Sequence, residues 1–269
     1  MRILFIGDIF GRPGRDIAHR AIPALVGSRD IDLVIANVEN SAAGFGVTGD
    51  IAEAILKSGV DVMTSGNHIW DKKEVLDYIP RQPKLLRPAN FPAGVPGRGT
   101  WVGTTRNGDA AAVINVMGRV FMAPLDDPFA VVLREIESAR AKARIVIVDF
   151  HAEATSEKVA MGWHLDGRVT AIFGTHTHVQ TADERVLPRG TAYITDVGMT
   201  GPHDSIIGVT IEAALGRFVN GLPAKFEAAS GGARINAIII TADSATGRAT
   251  AIERVNLSAA EVDTLAKNA

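Results

Sequence analysis

Seven short runs of apolar, β-rich residues recur along this 269-residue chain: Ile3–Ile6, Leu33–Ala36, Val60–Met63, Ala111–Val116, Ile145–Val148, Ala171–Phe173 and Ala192–Ile194. Several are continuous rather than alternating, the pattern of strands covered on both faces. Helical patterns lie between them with their own punctuation. Thr48 is placed to cap a helix running to Ser58, with Gly59 closing it. Asp127 followed by Pro128 supplies a cap and first-turn proline before "FAVVLREIESARAKA". A short helix is expected from Ser156, and "DSIIGVTIEAALGRF" carries an apolar stripe after Asp204. The prolines and glycines of 80–108 read as one long connection, and "ARINAIIITADSATGRATAIERVNL" as two strands about a turn near Gly247. Alternating α and β elements followed by β-rich stretches predict an α/β sandwich with mixed sheets in a single domain, 1–269. A simple parallel doubly wound sheet is the alternative.

Composition narrows the chemistry. Hydrophobic residues make up 46% and charged residues 22%, an ordinary globular profile, and the net charge of −2 gives no bulk attraction to nucleic acid or membrane. With no cysteine in the sequence, disulfides, thiolate metal sites and a cysteine nucleophile are excluded together. "MRILFIGDIF" is too short and too soon interrupted by Asp8 for a signal peptide and reads as a first strand. No run approaches the ~20 apolar residues of a membrane span. The expected setting is the cytoplasm, without membrane contact or DNA groove binding.

The residues just beyond the strands are more informative. "ILFIGD" ends at Asp8, "DLVIANVEN" at Glu39 and Asn40, "VDVMTSGNH" at Asn67 and His68, "IVIVDFH" at His151, and "AIFGTHTH" at His176 and His178. Functional groups in layered α/β folds collect beyond the carboxyl ends of strands. Two carboxylates, two carboxamides and four of the seven histidines would then meet at one edge. Those donor types suit borderline divalent ions, and there are more of them than one ion needs, so a two-metal site with a bridging carboxylate is expected. In an extended "THTH" both imidazoles would point to one side and serve different ions.

This ordered set resembles the metallophosphoesterase (calcineurin-like) superfamily, whose pattern is D-x-H, GD, GNH, H and GHxH. The chain departs from it at Phe10, where a histidine is usual, at "VEN" (38–40) in place of GD, and at Thr175 in place of glycine. "GDIFGRPGR", "ANVENSAAGFG", "TSGNHIWD" and "DVGMTGP" are similar to the YmdB-type branch, which hydrolyses phosphodiesters including 2′,3′-cyclic nucleotides. The resemblance implies a four-layer αββα sandwich with two mixed sheets. It implies that Asp8, Glu39, Asn40 and His178 hold one ion and Glu39, Asn67, His151 and His176 the other. Glu39 bridges, and Asn40 takes the place that Phe10 leaves. Iron is the implied metal, with manganese as an alternative, and the implied assembly is a homo-oligomer.

Two divalent ions less the charges of Asp8 and Glu39 leave about +2, and a bridging hydroxide about +1, matching a phosphodiester monoanion. His68 is left to protonate the departing alkoxide. The expected substrate is a small nucleotide diester or an RNA end. A phosphomonoesterase is one alternative, with Arg12 and Arg15 the near-motif cations for a dianion; a nucleotide-responsive signalling protein with little turnover is another. Asn40 has a bland reading as a turn cap, and His68 as the structural partner of a carboxylate. His164 lacks supporting spacing, His203 is at most a neighbour of the site, and His19 reads as solvated. The 41–46 loop is either a substrate loop or a plain Gly-rich turn. Glu153 and Asp196 are candidates to orient imidazoles.

Overall fold

The computed structural model describes residues 1–268. The chain runs β1 (Arg2–Ile6), β2 (Asp8–Ile9), α1 (Gly11–Arg29), β3 (Leu33–Asn37), α2 (Gly49–Lys57), β4 (Val62–Thr64) and α3 (Val75–Tyr78). It continues through β5 (Thr100–Thr104), β6 (Ala110–Met117), α4 (Pro128–Arg140), β7 (Ile145–His151), α5 (Thr155–Leu165), β8 (Ala171–Thr175), β9 (Arg185–Val186) and β10 (Ala192–Ile194). β11 (Met199–Pro202), α6 (Ile211–Asn220), β12 (Ala233–Ala242), β13 (Ala249–Ser258) and α7 (Ala259–Asn268) complete it.

Both sheets are mixed. In the seven-stranded sheet β1, β3 and β4 run parallel, while β12 is antiparallel to β1, β11 and β13. In the six-stranded sheet β6, β7, β8 and β10 run parallel, with antiparallel β5 and β9 at its edges. Alternate residues of the same strand serve different layers. Ile3 and Phe5 of β1 face Val113, Ile147 and Phe173 between the sheets, and the Phe5 and Phe173 rings stand 4.1 Å apart. Leu4 and Ile6 instead pack on Ile17, Ala21 and Leu25 of α1, with Val262 of α7 in the same cluster. On the far side Ile114, Val146 and Val148 pack on Val132 and Ile136 of α4 and Met161 and Leu165 of α5. This is the four-layer αββα sandwich. Each such aliphatic side chain, fully withdrawn from water, contributes about 1.5–3 kcal/mol, which is why the strands are apolar on both faces.

The punctuation read from the sequence performs as expected. Thr48 accepts a hydrogen bond from the Ile51 amide at 3.3 Å, and Asp127 from that of Phe129 at 2.9 Å. Gly59 and Gly247 take the positive φ values, 108° and 73°, that their turns require. Four expectations need correcting. The 80–108 connection contains β5, which pairs with β6 despite its flanking glycines. The helical stripe after Asp204 begins only at Ile211, because Ile207 and Gly208 adopt positive φ in a turn. The fourth strand starts at Val62 rather than Val60, and the helix expected from Ser156 starts at Thr155.

Candidate metal centre and its cleft

The parallel strands of the two sheets deliver their carboxyl ends to one place. Glu39 follows β3, Asn67 follows β4, His151 ends β7 and His176 follows β8. Around His151 Nε2 stand Glu39 Oε1 at 2.9 Å, Asn67 Oδ1 at 3.0 Å and His176 Nδ1 at 3.1 Å. Asp8, beyond β1, accepts the His176 backbone N–H at 3.3 Å. Glu39 and His151 are fully buried, and Glu39, His151 and His176 form a cluster suited to a cation.

The close approach of Gly66 makes this packing possible. A Cβ on Gly66 would lie 2.1 Å from His151 Cδ2, so the "GNH" turn needs glycine in order to lay Asn67 against the imidazole.

Each of the four imidazoles is anchored through one ring nitrogen. His151 Nδ1 lies 2.9 Å from Thr175 Oγ1, which donates its own proton to Asp149 at 2.7 Å and therefore accepts from the ring. Asp149 is gripped further by the Thr64 hydroxyl and the Asn37 amide. His176 Nε2 donates to Glu153 at 3.0 Å, His178 Nδ1 to the Ile207 carbonyl at 2.9 Å, and His68 Nδ1 to Asp71 at 2.8 Å. The acceptors fix the tautomers and leave one nitrogen of each ring for the site. The oxygens are equally telling. Asp8 Oδ1 and Asn40 Oδ1 are buried without a hydrogen-bond donor, although such atoms are normally satisfied, and the one group facing Glu39 Oε1 is His151 Nε2. The Asn40 amide nitrogen is tied to the Gly44 carbonyl at 2.9 Å, which holds that unpartnered oxygen in place.

Charge follows from this crowding. Burial alone would lower the His151 value, but Glu39, Asp8 and Asp149 override it and raise it to about 9. Burial alone would raise Glu39, yet the adjacent His151 cation and the His68 amide hold it down at about 2. Burial and the His151 charge push His176 down to about 3, while Asp8 is raised by its burial. A proton on His151 thus holds together oxygen and nitrogen donors whose geometry and excess of lone pairs fit a divalent cation.

The model of the YmdB-like protein family matches residues 4–255. The chain belongs to that family. It is 51% identical over 256 residues to the 2′,3′-cyclic-nucleotide 2′-phosphodiesterase of Bacillus subtilis (strain 168), covering 95% of this chain and 96% of the relative. A crystal structure of a hypothetical protein from Thermus thermophilus superposes with a TM-score of 0.90 at 44% identity, covering 96% of this chain and 99% of that one. A crystal structure of a novel phosphatase from Mycoplasma pneumoniae also gives a TM-score of 0.90, at 35% identity, covering 96% and 93% of the two chains.

In this YmdB-like chain the cluster opens into a cleft of about 600 Å³, lined on one side by Glu39, Asn40, His68, His176 and His178. The rest of the lining is mainly apolar and comes from Phe45 and from the segment between β11 and β12, including Ile207, Phe218 and Phe226. Phe10 joins the two. It is 3% exposed, meets the His178 ring edge-on at 5.7 Å, and packs so closely on Gly44 and Gly208 that a Cβ on either would lie 2.8 Å from its ring.

One expectation about the histidines fails. "THTH" is not extended: β8 ends at Thr175, and His176 and His178 have φ values of 99° and 66°. A buried Lys158–Asp196 pair, 2.6 Å apart, explains how this backbone is held. Asp196 also accepts from the Thr177 amide and hydroxyl at 3.2 and 2.6 Å, between the two histidines. Neither Asp71 nor Lys158 stands among the residues expected from the sequence; the "HIWD" spacing is a signal for the first, and nothing local marks the second. Arg12 pairs with Asp16 in solvent and Arg15 binds the Ser41 carbonyl, so neither lines the cleft. His164 stacks against Phe129, His203 reaches the Met199 carbonyl, and His19 is exposed on α1.

Proposed function

We propose that this chain is a metal-dependent phosphodiesterase that opens 2′,3′-cyclic nucleotides, with Asp8, Glu39, Asn40 and His178 holding one ion and Glu39, Asn67, His151 and His176 a second. The observation that carries this reading is the pair of buried, donorless oxygens of Asp8 and Asn40 beside the buried Glu39 carboxylate and histidines each anchored by the opposite nitrogen. Iron or manganese suits carboxylate, carboxamide and imidazole donors together. Such ions, when bound, lower the pKa of water and neutralise charge on phosphate oxygens.

The remaining work falls to the chain itself. His68 sits on the cleft wall with Nδ1–H committed to Asp71, so Nε2 is the atom left for the substrate. From the imidazolium form, which carries a proton on both nitrogens, Nε2 gives its proton to the departing 2′-oxygen and the ring is left neutral. The Asp71 carboxylate fixes the orientation of the ring. Glu39 serves both sides, its Oε2 accepting the His68 amide at 3.0 Å while its Oε1 faces His151. The relatedness to a 2′,3′-cyclic-nucleotide 2′-phosphodiesterase at 51% identity supports the substrate class. Arg12 and Arg15, the near-motif cations of the phosphomonoesterase reading, lie outside the cleft, and the guanidinium that does line it is that of Arg217.

The test is turnover of 2′,3′-cyclic AMP by protein of measured metal content. Active wild type with about two ions per chain is expected. His68→Asn should retain the metal and lose about 10²–10⁴ in kcat, the usual contribution of a positioned acid. Metal-loaded wild type without turnover, or an unimpaired His68→Asn, overturns the proposal.

A further inference from the structure

Phosphodiester chemistry needs only the polar residues of the cleft, and the apolar part of its wall has no role in it. That wall is costly for the free protein. Phe218 is 81% exposed and Ile207 53%, at the mouth of a cleft large enough for a mononucleotide. Phe45 projects from the 41–46 loop with its ring 5.1 Å from that of His68, so the wall begins beside the proton donor. Arg217 lies with its guanidinium 5.3 Å over the Phe226 ring, adding a planar cation to the same surface. The wall thus offers faces rather than hydrogen-bonding edges.

We propose that Phe218, with Phe45 and Arg217, forms a stacking subsite for the nucleobase of the substrate, continuous with the phosphate end of the cleft. The proposal rests on the phosphodiesterase reading for the identity of the ligand and goes beyond it in naming what holds the base. A cyclic phosphate and its ribose have no flat apolar face, whereas every base does, and aromatic side chains grip bases by stacking. The position is apt: Phe218, Phe45 and Arg217 line the same cleft as His68, His176 and His178, so a nucleotide with its phosphate at the donors has these side chains within the one cavity that holds it. Phe10 ties this wall to the metal side, because the same ring packs against His178 and against the Gly208 turn that leads into α6.

Two measurements on the purified full chain separate the subsite from the activity. In calorimetric titrations wild type should bind adenosine 3′-monophosphate about five- to a hundredfold more tightly than ribose 3-phosphate, the range expected for one stacked base. Phe218→Ala should collapse that preference to within a fewfold, and Phe218→Trp, with a larger ring, should preserve it. In turnover, Phe218→Ala should lower kcat/KM for 2′,3′-cyclic AMP relative to methyl riboside 2′,3′-cyclic phosphate by a similar factor, mostly through KM. A purely structural role would depress both substrates alike and leave the ratio unmoved. Equal binding of nucleotide and sugar phosphate by wild type, or a preference that survives Phe218→Ala, overturns the subsite. So does an unchanged preference with a shift in oligomeric mass, which would assign the face to a second copy of the chain. Wild type that binds the nucleotide preferentially yet hydrolyses neither ester would retire the phosphodiesterase reading while supporting the base site.

Discussion

Loading the metal-free protein with a divalent ion should expel a proton, and the buried cluster fixes which one. His151 keeps its proton up to about 9, because Glu39, Asp8 and Asp149 outweigh the effect of burial. Glu39 is ionised down to about 2 and His176 is neutral above about 3. At pH 7 the Glu39–His151–His176 group therefore holds one proton beyond neutral imidazoles, on His151 Nε2, the nitrogen that would face a bound ion. Removing it two pH units below its pKa costs about 2.7 kcal/mol, or about a hundredfold in affinity. Affinity should rise about tenfold per pH unit from pH 7 and level off above about 9. Calorimetric titration at pH 7 in two buffers of different ionisation enthalpy should return about one proton released for the first ion. No proton release, together with an affinity that is flat between pH 7 and 9, would refute the reasoning.

The same shifts set the stability of the metal-free form. His151 is raised from its ordinary 6.5, so its contribution is complete below 6.5 and lost as pH climbs through about 9. Glu39 is lowered from its ordinary 4.5, so its contribution is present above 4.5 and lost as pH falls toward about 2. His176, lowered from its ordinary 6.5 to about 3, adds stability that is lost as pH falls below 6.5. The metal-free protein should therefore lose stability both above about pH 6.5 and below about 4.5, and metal should raise the melting temperature most on the alkaline side. Three substitutions test the surroundings. Gly66→Ala places a methyl 2.1 Å from the His151 ring, which is pinned by Thr175; it should cost about 1–3 kcal/mol in urea unfolding and weaken metal uptake at least tenfold by equilibrium dialysis. Lys158→Met strands a buried Asp196 and should lower unfolding free energy by about 3–5 kcal/mol, with Lys158→Met/Asp196→Asn recovering part of the loss. Phe10→Ala empties a fully packed site between the 41–46 loop and the Gly208 turn and should cost about 3–5 kcal/mol, with fluorescence of a probe on α6 reporting a loosened wall.

How far the sequence can be read depends on whether a feature is local. Strands buried on both faces are continuous apolar runs, so Ile145–Val148 and Ala111–Val116 are visible at once. Asp8, Glu39, Asn67 and His151 are visible because each closely follows or ends such a run. α7 is absent from the elements expected above although its start carries a reciprocal cap, Ser258 and Glu261 exchanging hydrogen bonds at 2.7 and 3.3 Å, which "SAAE" announces. β2 and β11 pair only two residues with each other, and no pattern in two residues can predict a partner almost 200 positions away. The bend at "THTH" escapes a local reading for a related reason: what turns it is Asp196, beyond β10, held by Lys158 of α5.

The three departures from the metallophosphoesterase pattern become a connected adjustment once the contacts are known. Thr175, where glycine is usual, supplies the hydroxyl that passes the His151 N–H on to Asp149, fixing which nitrogen faces the cluster. Phe10, where histidine is usual, removes one donor but builds the apolar junction that seats His178 and the Gly208 turn. Asn40 then presents a buried carboxamide oxygen with no donor, steadied by Gly44, itself a residue that only glycine allows beneath the Phe10 ring. The loss at position 10 and the gain at position 40 thus meet at one glycine. Restoring a histidine at position 10 alone should accordingly disturb the wall without improving the site, because the Phe10 ring fills the space against Gly44 and Gly208 that the imidazole would need.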